Sequence, residues 1–266
     1  MDSMDDSDMK PENLDVINRS FETQAESFES KSLQFTKEEY LKFTVDAVCP
    51  SASDDFLEVA AGTCVCGRSF APFVRSVVCL DATEAMLQVG KREALNQGLS
   101  NIEFVKGYAE DLPFASESFD IVFSRLAFHH LADTGKAFSE MARCLKTKGK
   151  LVLIDMEAAR DDLRKTQDEI ERLRDPSHVM NLSKEEMQDL FISQSLTIKL
   201  CETTRIQQKL SSWMTLTKIP DQIRSDIINR MKSELTGGVE TGFMPYEENG
   251  AICFDQRWVL TVGIKG

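Results

Sequence analysis

The chain has 266 residues, 42% of them hydrophobic, with a formal net charge of −13. That supports one large domain with a sizeable buried core. It excludes a nucleic-acid binder, which needs a basic stripe to gain from counterion release, and with no run of about 18 apolar residues it excludes a membrane span.

Residues 1–12 are acidic and read as a flexible N-terminus; with four aspartates before position 9 and no apolar block, they do not form a signal peptide. Seven cysteines without framework-like spacing predict reduced thiols and a cytoplasmic chain, as monomer or homodimer. Residues 13–50 read as two helices, the first with Ile17, Phe21, Ala25 and Phe28 on one stripe. The second starts at a capping box of Thr36 and Glu39 and carries Tyr40, Phe43 and Ala47 inward.

Strands and helices then alternate over 51–155. Strands are predicted at 56–60, 77–80, 102–105, 120–124 and 151–155, and helices at 70–74 and 85–95. A further helix before the fifth strand has Ala137, Phe138, Met141, Ala142 and Leu145 on one face. Short apolar strands separated by amphipathic helices indicate a doubly wound α/β fold, its mostly parallel sheet covered on both faces. The basic stretch 146–150 reads as a solvated turn.

Over 156–266 the pattern changes. A charged helix at 160–174 precedes Asp175-Pro176-Ser177-His178, and a capping box of Ser183 and Glu186 opens a helix through Ser193. Strands at 196–206 and 251–264 flank a helical segment, 213–235. Two late strands joined by helices predict an antiparallel edge, with the joining segment as a lid over the 51–155 core.

The chemistry concentrates at strand ends. The first strand runs through Glu58 into Ala60-Ala61-Gly62-Thr63-Cys64, a small-residue turn that lets backbone approach a ligand at the switch point of an open sheet. Asp81 ends the next strand 23 positions later, near the roughly 20-residue offset of a carboxylate that holds ribose hydroxyls; N-capping the following helix is compatible with that role. A nicotinamide fingerprint, G-x-G-x-x-G, fails at two of its three glycines. The chain has three histidines, and His129 and His130 sit in the loop after the fourth strand, where a group titrating near neutrality suits proton removal. One of them is as readily a packed loop residue. His178 either enters from the lid or lies on a solvent-facing turn. Cys64 and Cys66 form a C-x-C without further ligands at metal spacing, so no metal site is expected.

Six segments in order resemble the small-molecule class I methyltransferases, particularly the ubiquinone/menaquinone-biosynthesis type. They are the Glu58–Cys64 turn, Asp81, Gly107-Tyr108-Ala109-Glu110-Asp111-Leu112-Pro113-Phe114, Ser118-Phe119-Asp120-Ile121-Val122, Ala127-Phe128-His129-His130 and the 145–151 stretch. The resemblance implies a seven-stranded Rossmann-like sheet and S-adenosyl-L-methionine as methyl donor, leaving S-adenosyl-L-homocysteine. It assigns Glu58, Ala60, Gly62, Thr63, Asp81, Ala82, Met86, Tyr108, Ala109 and Glu110 to that cofactor, and Arg125 to its methionine end, where an internal ion pair with Glu58 or Asp155 is the alternative. Phe21 and Phe28 either cover the cofactor or belong to the core. The family's turn reads acid-x-Gly-x-Gly-x-Gly, whereas this chain has Ala60 and Cys64 in the flanking places. Those departures leave a second reading, a non-catalytic binding protein. The acceptor is expected to be a small molecule, and Met180, Phe191, Trp213 and Met214 in the lid favour one with an apolar or aromatic part.

Overall fold

A computed structural model describes residues 13–29 and 37–266. The Thr36 capping box therefore falls outside the described residues; the second helix, α2 (Glu38–Val48), follows Lys37. The first, α1 (Leu14–Gln24), runs into a short 3-10 turn at Ala25–Ser27.

The central alternation is present as β1 (Asp55–Val59), α3 (Val65–Phe70), β2 (Ser76–Asp81), α4 (Glu84–Asn96), β3 (Ile102–Lys106), β4 (Phe119–Arg125), α5 (Thr134–Cys144) and β5 (Leu145–Met156). Beyond it come α6 (Asp161–Arg174), α7 (Lys184–Ser193), β6 (Thr197–Lys209), α8 (Leu210–Trp213), α9 (Asp221–Leu235), β7 (Tyr246–Glu248) and β8 (Ala251–Ile264). The sheet order is β3-β2-β1-β4-β5-β8-β6. Strands β1 to β5 pair in parallel, and β8 runs antiparallel between β5 and β6. This is the doubly wound, mostly parallel sheet with an antiparallel edge that the alternation dictates. Short β7 adds an eighth strand by pairing with the start of β8.

Strand residues alternate between two cores, as a sheet covered on both faces requires. Leu57, Val59 and Val122 pack with Phe138 and Met141 of α5 and Phe191 of α7. Phe56, Ile121 and Phe123 pack with Phe70 of α3 and Val45 and Val48 of α2. A third cluster joins Ile170, Trp213, Ile227, Met231 and Phe254 beyond the sheet's carboxyl edge, where β6 and β8 run on past β5. The basic stretch at 146–150 is not a free turn. It lies within β5 as an irregularity, since Phe119 pairs with Leu145 but Ile121 pairs with Lys150. Backbone pairing to β4 overrides its charge, and Lys148 takes a φ of 66° to make the step. Ser183 and Glu186 form the expected reciprocal cap on α7. Among the described residues no helix is long and apolar enough to cross a membrane.

Candidate active site

A cavity of about 200 Å³ opens where β1, β2 and β4 end, walled by α1, the loop after β4 and the α6–α8 region. Its position follows from topology, because parallel strands deliver their carboxyl ends and following turns to one edge.

The β1 turn forms one wall. Ala60, Gly62 and Cys64 all have positive φ, at 53°, 55° and 58°. These are the three places where glycine costs nothing and an L side chain is strained. Ala60 and Cys64 nonetheless adopt the same left-handed conformation, so the turn keeps its course with one glycine. Asp81 holds it from the neighbouring strand: one carboxylate oxygen accepts from Gly62 N at 2.7 Å and the other from Thr83 N at 2.8 Å. The helix N-cap is Thr83 and not Asp81, which instead braces the turn and the residue that opens α4. Burial pushes the Asp81 carboxyl up, against those backbone donors.

Glu58 lies beneath the turn, accepting from Gly67 N at 2.7 Å. Burial raises its carboxyl to about 7, while that donor and the Arg125 guanidinium work the other way. Glu58, Cys64 and Cys79 bring their ligand atoms within 4.8 Å of one another. Burial holds the Cys64 thiol well above its usual range and Cys66 at about 12, so both sulfurs keep their protons.

Of the other sequence candidates, Ala60, Ala82, Tyr108, Ala109, Glu110 and Arg125 line the cavity. Glu110 is buried and its Oε1 has no hydrogen-bond partner among the described residues; burial raises its carboxyl. Thr63 and Met86 are not on the cavity wall. Thr63 is fully buried behind the turn, and Met86 packs with Ala25 and Val89. The helical stripe turns Met86 inward against α1. Phe21 and Phe28 pack on that cluster and also line the cavity.

The opposite wall carries His129 and His130, with His178 packed behind them, its ring centre 5.7 Å from that of His129. His129 Nδ1 lies 2.6 Å from Asp155 Oδ1, and Phe128 N donates to the other oxygen of that carboxylate. Burial opposes charge on His129, but Asp155 outweighs it and raises the imidazole. Asp155 therefore pairs with His129. His130 sits 4.1 Å from His129, ring centre to ring centre, and edge-on to Phe21 at 5.0 Å. Burial, then the neighbouring His129, lower it to about 3, so it is neutral at physiological pH. His178 is not on a solvent-facing turn; it is buried with Nε2 2.8 Å from Asp168 Oδ1.

Sequence reasoning missed the partners of this cluster. Asp175 and Ser177 stood out only as part of a turn after α6, and Asp168 and Ser20 carried no signal. The Pro176 turn folds Asp175 back under α1, where Ser20 and Gln24 donate to it at 2.7 and 3.1 Å.

Residues 57–153 match the family model described as a methyltransferase domain. The chain is 31% identical over 247 residues to the uncharacterized methyltransferase YcgJ of Bacillus subtilis, covering 92% of this chain and 97% of that protein. It belongs to the S-adenosylmethionine-dependent methyltransferases. The crystal structure of YcgJ superposes with a TM-score of 0.78 over 86% of this chain and 99% of its own. The methyltransferase is also 36% identical over 118 residues to the ubiquinone/menaquinone biosynthesis C-methyltransferase UbiE of Hahella chejuensis, which covers 43% of this chain and 47% of that one. These likenesses place it in the class I, UbiE-like group, and the expected methyl donor follows from membership.

Proposed function

We propose that the methyltransferase binds S-adenosylmethionine along the β1 turn and passes its methyl group to a small acceptor held between α1 and residues 156–266. The observation that carries this reading is a single cavity walled by the Asp81-braced turn on one side and the histidine cluster on the other. The residues fit the cofactor. Asp81 sits where ribose hydroxyls would bind, the uncrowded backbone at Gly62 would face the ligand, and the unpartnered Glu110 oxygen would accept a donor at its adenosine end. Arg125 would take the carboxylate of the methionine part. Bound there, S-adenosylmethionine supplies a methyl on a sulfonium, and the carbon–sulfur electron pair stays on sulfur when the acceptor takes it.

The protein's own tasks are alignment, exclusion of water and, for a protic acceptor, removal of a proton. We assign proton removal to His130, neutral on the cavity wall, with His129 beside it. Leu14, Ile17, Trp213, Leu216 and Trp258 line the cavity and favour an acceptor with an apolar or aromatic portion, whereas Met180, Phe191 and Met214, expected there, lie off its wall. A binding protein without catalysis is the weaker reading, because Ala60 and Cys64 retain the conformation that a glycine turn would take. Calorimetric titration with S-adenosylmethionine, S-adenosylhomocysteine and NAD tests the assignment. The first two should bind and NAD should not. Asp81→Ala should weaken both by about 10- to 100-fold, the scale of a hydrogen bond to a charged group; unchanged affinity removes Asp81 from the site.

A further inference from the structure

The three histidines differ in what their partners do to them. His130 Nδ1 lies 3.0 Å from Ser177 Oγ, and Ser177 Oγ donates to Asp175 Oδ1 at 2.6 Å. All three residues are buried, with Ser177 1% and Asp175 2% exposed. Asp175 also accepts from Ser20 Oγ, Gln24 Nε2 and the Ser177 backbone N–H. Burial raises the cost of its charge, yet these donors and the facing His130 and Arg174 hold its carboxyl well below the usual range. An ionised carboxylate accepts and never donates. The single hydroxyl hydrogen of Ser177 is thus committed to Asp175, and Ser177 faces His130 with a lone pair.

The geometry points to Ser177 and Asp175 as positioning residues that fix His130 in the Nδ1–H tautomer and leave Nε2 as its basic atom. This rests on the reading of His130 as the proton acceptor. Nδ1–H donates to Ser177 Oγ, so Nε2 carries a lone pair whether or not ligand is bound. In the transfer, the bond from the acceptor's oxygen or nitrogen to hydrogen breaks, its proton moves to Nε2, and the acceptor's electron pair forms the new bond to carbon. The Asp175 charge behind Ser177 offsets part of the burial that disfavours the imidazolium so formed. A site built this way selects an acceptor that bears an O–H or N–H at the reacting atom. A serine between carboxylate and imidazole also ties the base to α1, because Ser20 and Gln24 clasp the same carboxylate.

Long-range proton–nitrogen correlation spectra of the full chain, without cofactor or acceptor, read which imidazole nitrogen bears the proton. Wild type should show His130 as one tautomer, with hydrogen on Nδ1; hydrogen on Nε2 would overturn the inference. Ser177→Ala should lose that single signature and give a mixture. Ser20→Ala, which removes a comparable bond to Asp175 without touching His130, should keep it, and separates tautomer control from general loosening. If Ser177→Ala keeps a pure Nδ1–H tautomer, the inference fails. The base reading is judged separately, by initial rates of labelled methyl transfer from S-adenosylmethionine into a metabolite extract. His130→Gln should lose about 100-fold or more, and Ser177→Ala about 10- to 100-fold. Full activity in His130→Gln sinks the base reading, whereas full activity in Ser177→Ala alone sinks only the role of Ser177.

Discussion

At the level of single residues, backbone conformation explains the departures from the family's glycine pattern. Ala60 is held at a φ of 53° in a region that costs an L residue about 1–2 kcal/mol. Glycine would relieve that cost but widen the unfolded ensemble by about 0.4–1 kcal/mol. Ala60→Gly should therefore raise stability by about 0.5–1 kcal/mol in urea unfolding, leaving cofactor affinity intact. A net loss would mean that the alanine methyl packs better than its half-buried position indicates. Cys64 is strained in the same way, but its fully buried side chain packs against the Phe56–Phe70 core, so glycine there would exchange strain for a cavity.

Among the elements, the contact between α4 and the β1 turn sets the site's shape. Gly90 lies in the interior of α4, where alanine normally favours a helix by about 1 kcal/mol. Here a Cβ would stand 2.8 Å from the Thr63 carbonyl oxygen and 2.9 Å from the Phe104 ring. The carbonyl belongs to the turn itself and cannot swing aside as a side-chain tip would. Gly90→Ala should reverse the usual sign and destabilise by about 1–3 kcal/mol. It should also weaken S-adenosylmethionine binding by displacing Thr63 and Cys64, as denaturation and calorimetry on one preparation would show. Stabilisation with unchanged binding would mean that α4 moves away freely. This contact is how Thr63 supports the site from behind.

For the molecule as a whole, the buried ionisable groups give opposing pH dependences. His130 is held neutral down to about 3, against 6.5 for an ordinary histidine. Below pH 6.5 the unfolded chain takes a proton that the fold refuses, so stability falls as pH drops toward 3. Asp175, its carboxyl depressed, acts in the same direction at the acid end. Glu58 runs the other way. Protonated in the fold up to about 7, against 4.5 unfolded, it loses stability as pH rises through that window. The His130 and Glu58 effects offset one another between pH 4.5 and 6.5, and below that window His130 and Asp175 both act against the fold. Relative to wild type, His130→Asn should gain stability as pH falls from 6.5 to 3, at up to about 1.4 kcal/mol per pH unit, the slope of one proton. Chemical denaturation across that range would show it; parallel curves would mean His130 is charged in the fold.

Much of this was legible in the amino-acid order. Period-two and period-3.6 patterning determined the alternating strands and helices, and hence a sheet buried on both faces with its ligand edge at the strands' carboxyl ends. The acids at the ends of β1 and β2 and the paired histidines were visible because each sits at a fixed offset from such an edge. Short β7 was not legible, since its three residues pair only because β8 is already there to template them. Tertiary structure alone decided the partners of the histidines. Asp175 and Ser177 lie 45 or more positions from His130, and His178 would pass for a surface turn until the Pro176 bend buries it beside Asp168. Local patterning reports what a residue prefers among its sequence neighbours. The protonation state of a buried imidazole is set by charges and donors brought within about 3 Å by the chain's return, and no periodicity records that distance.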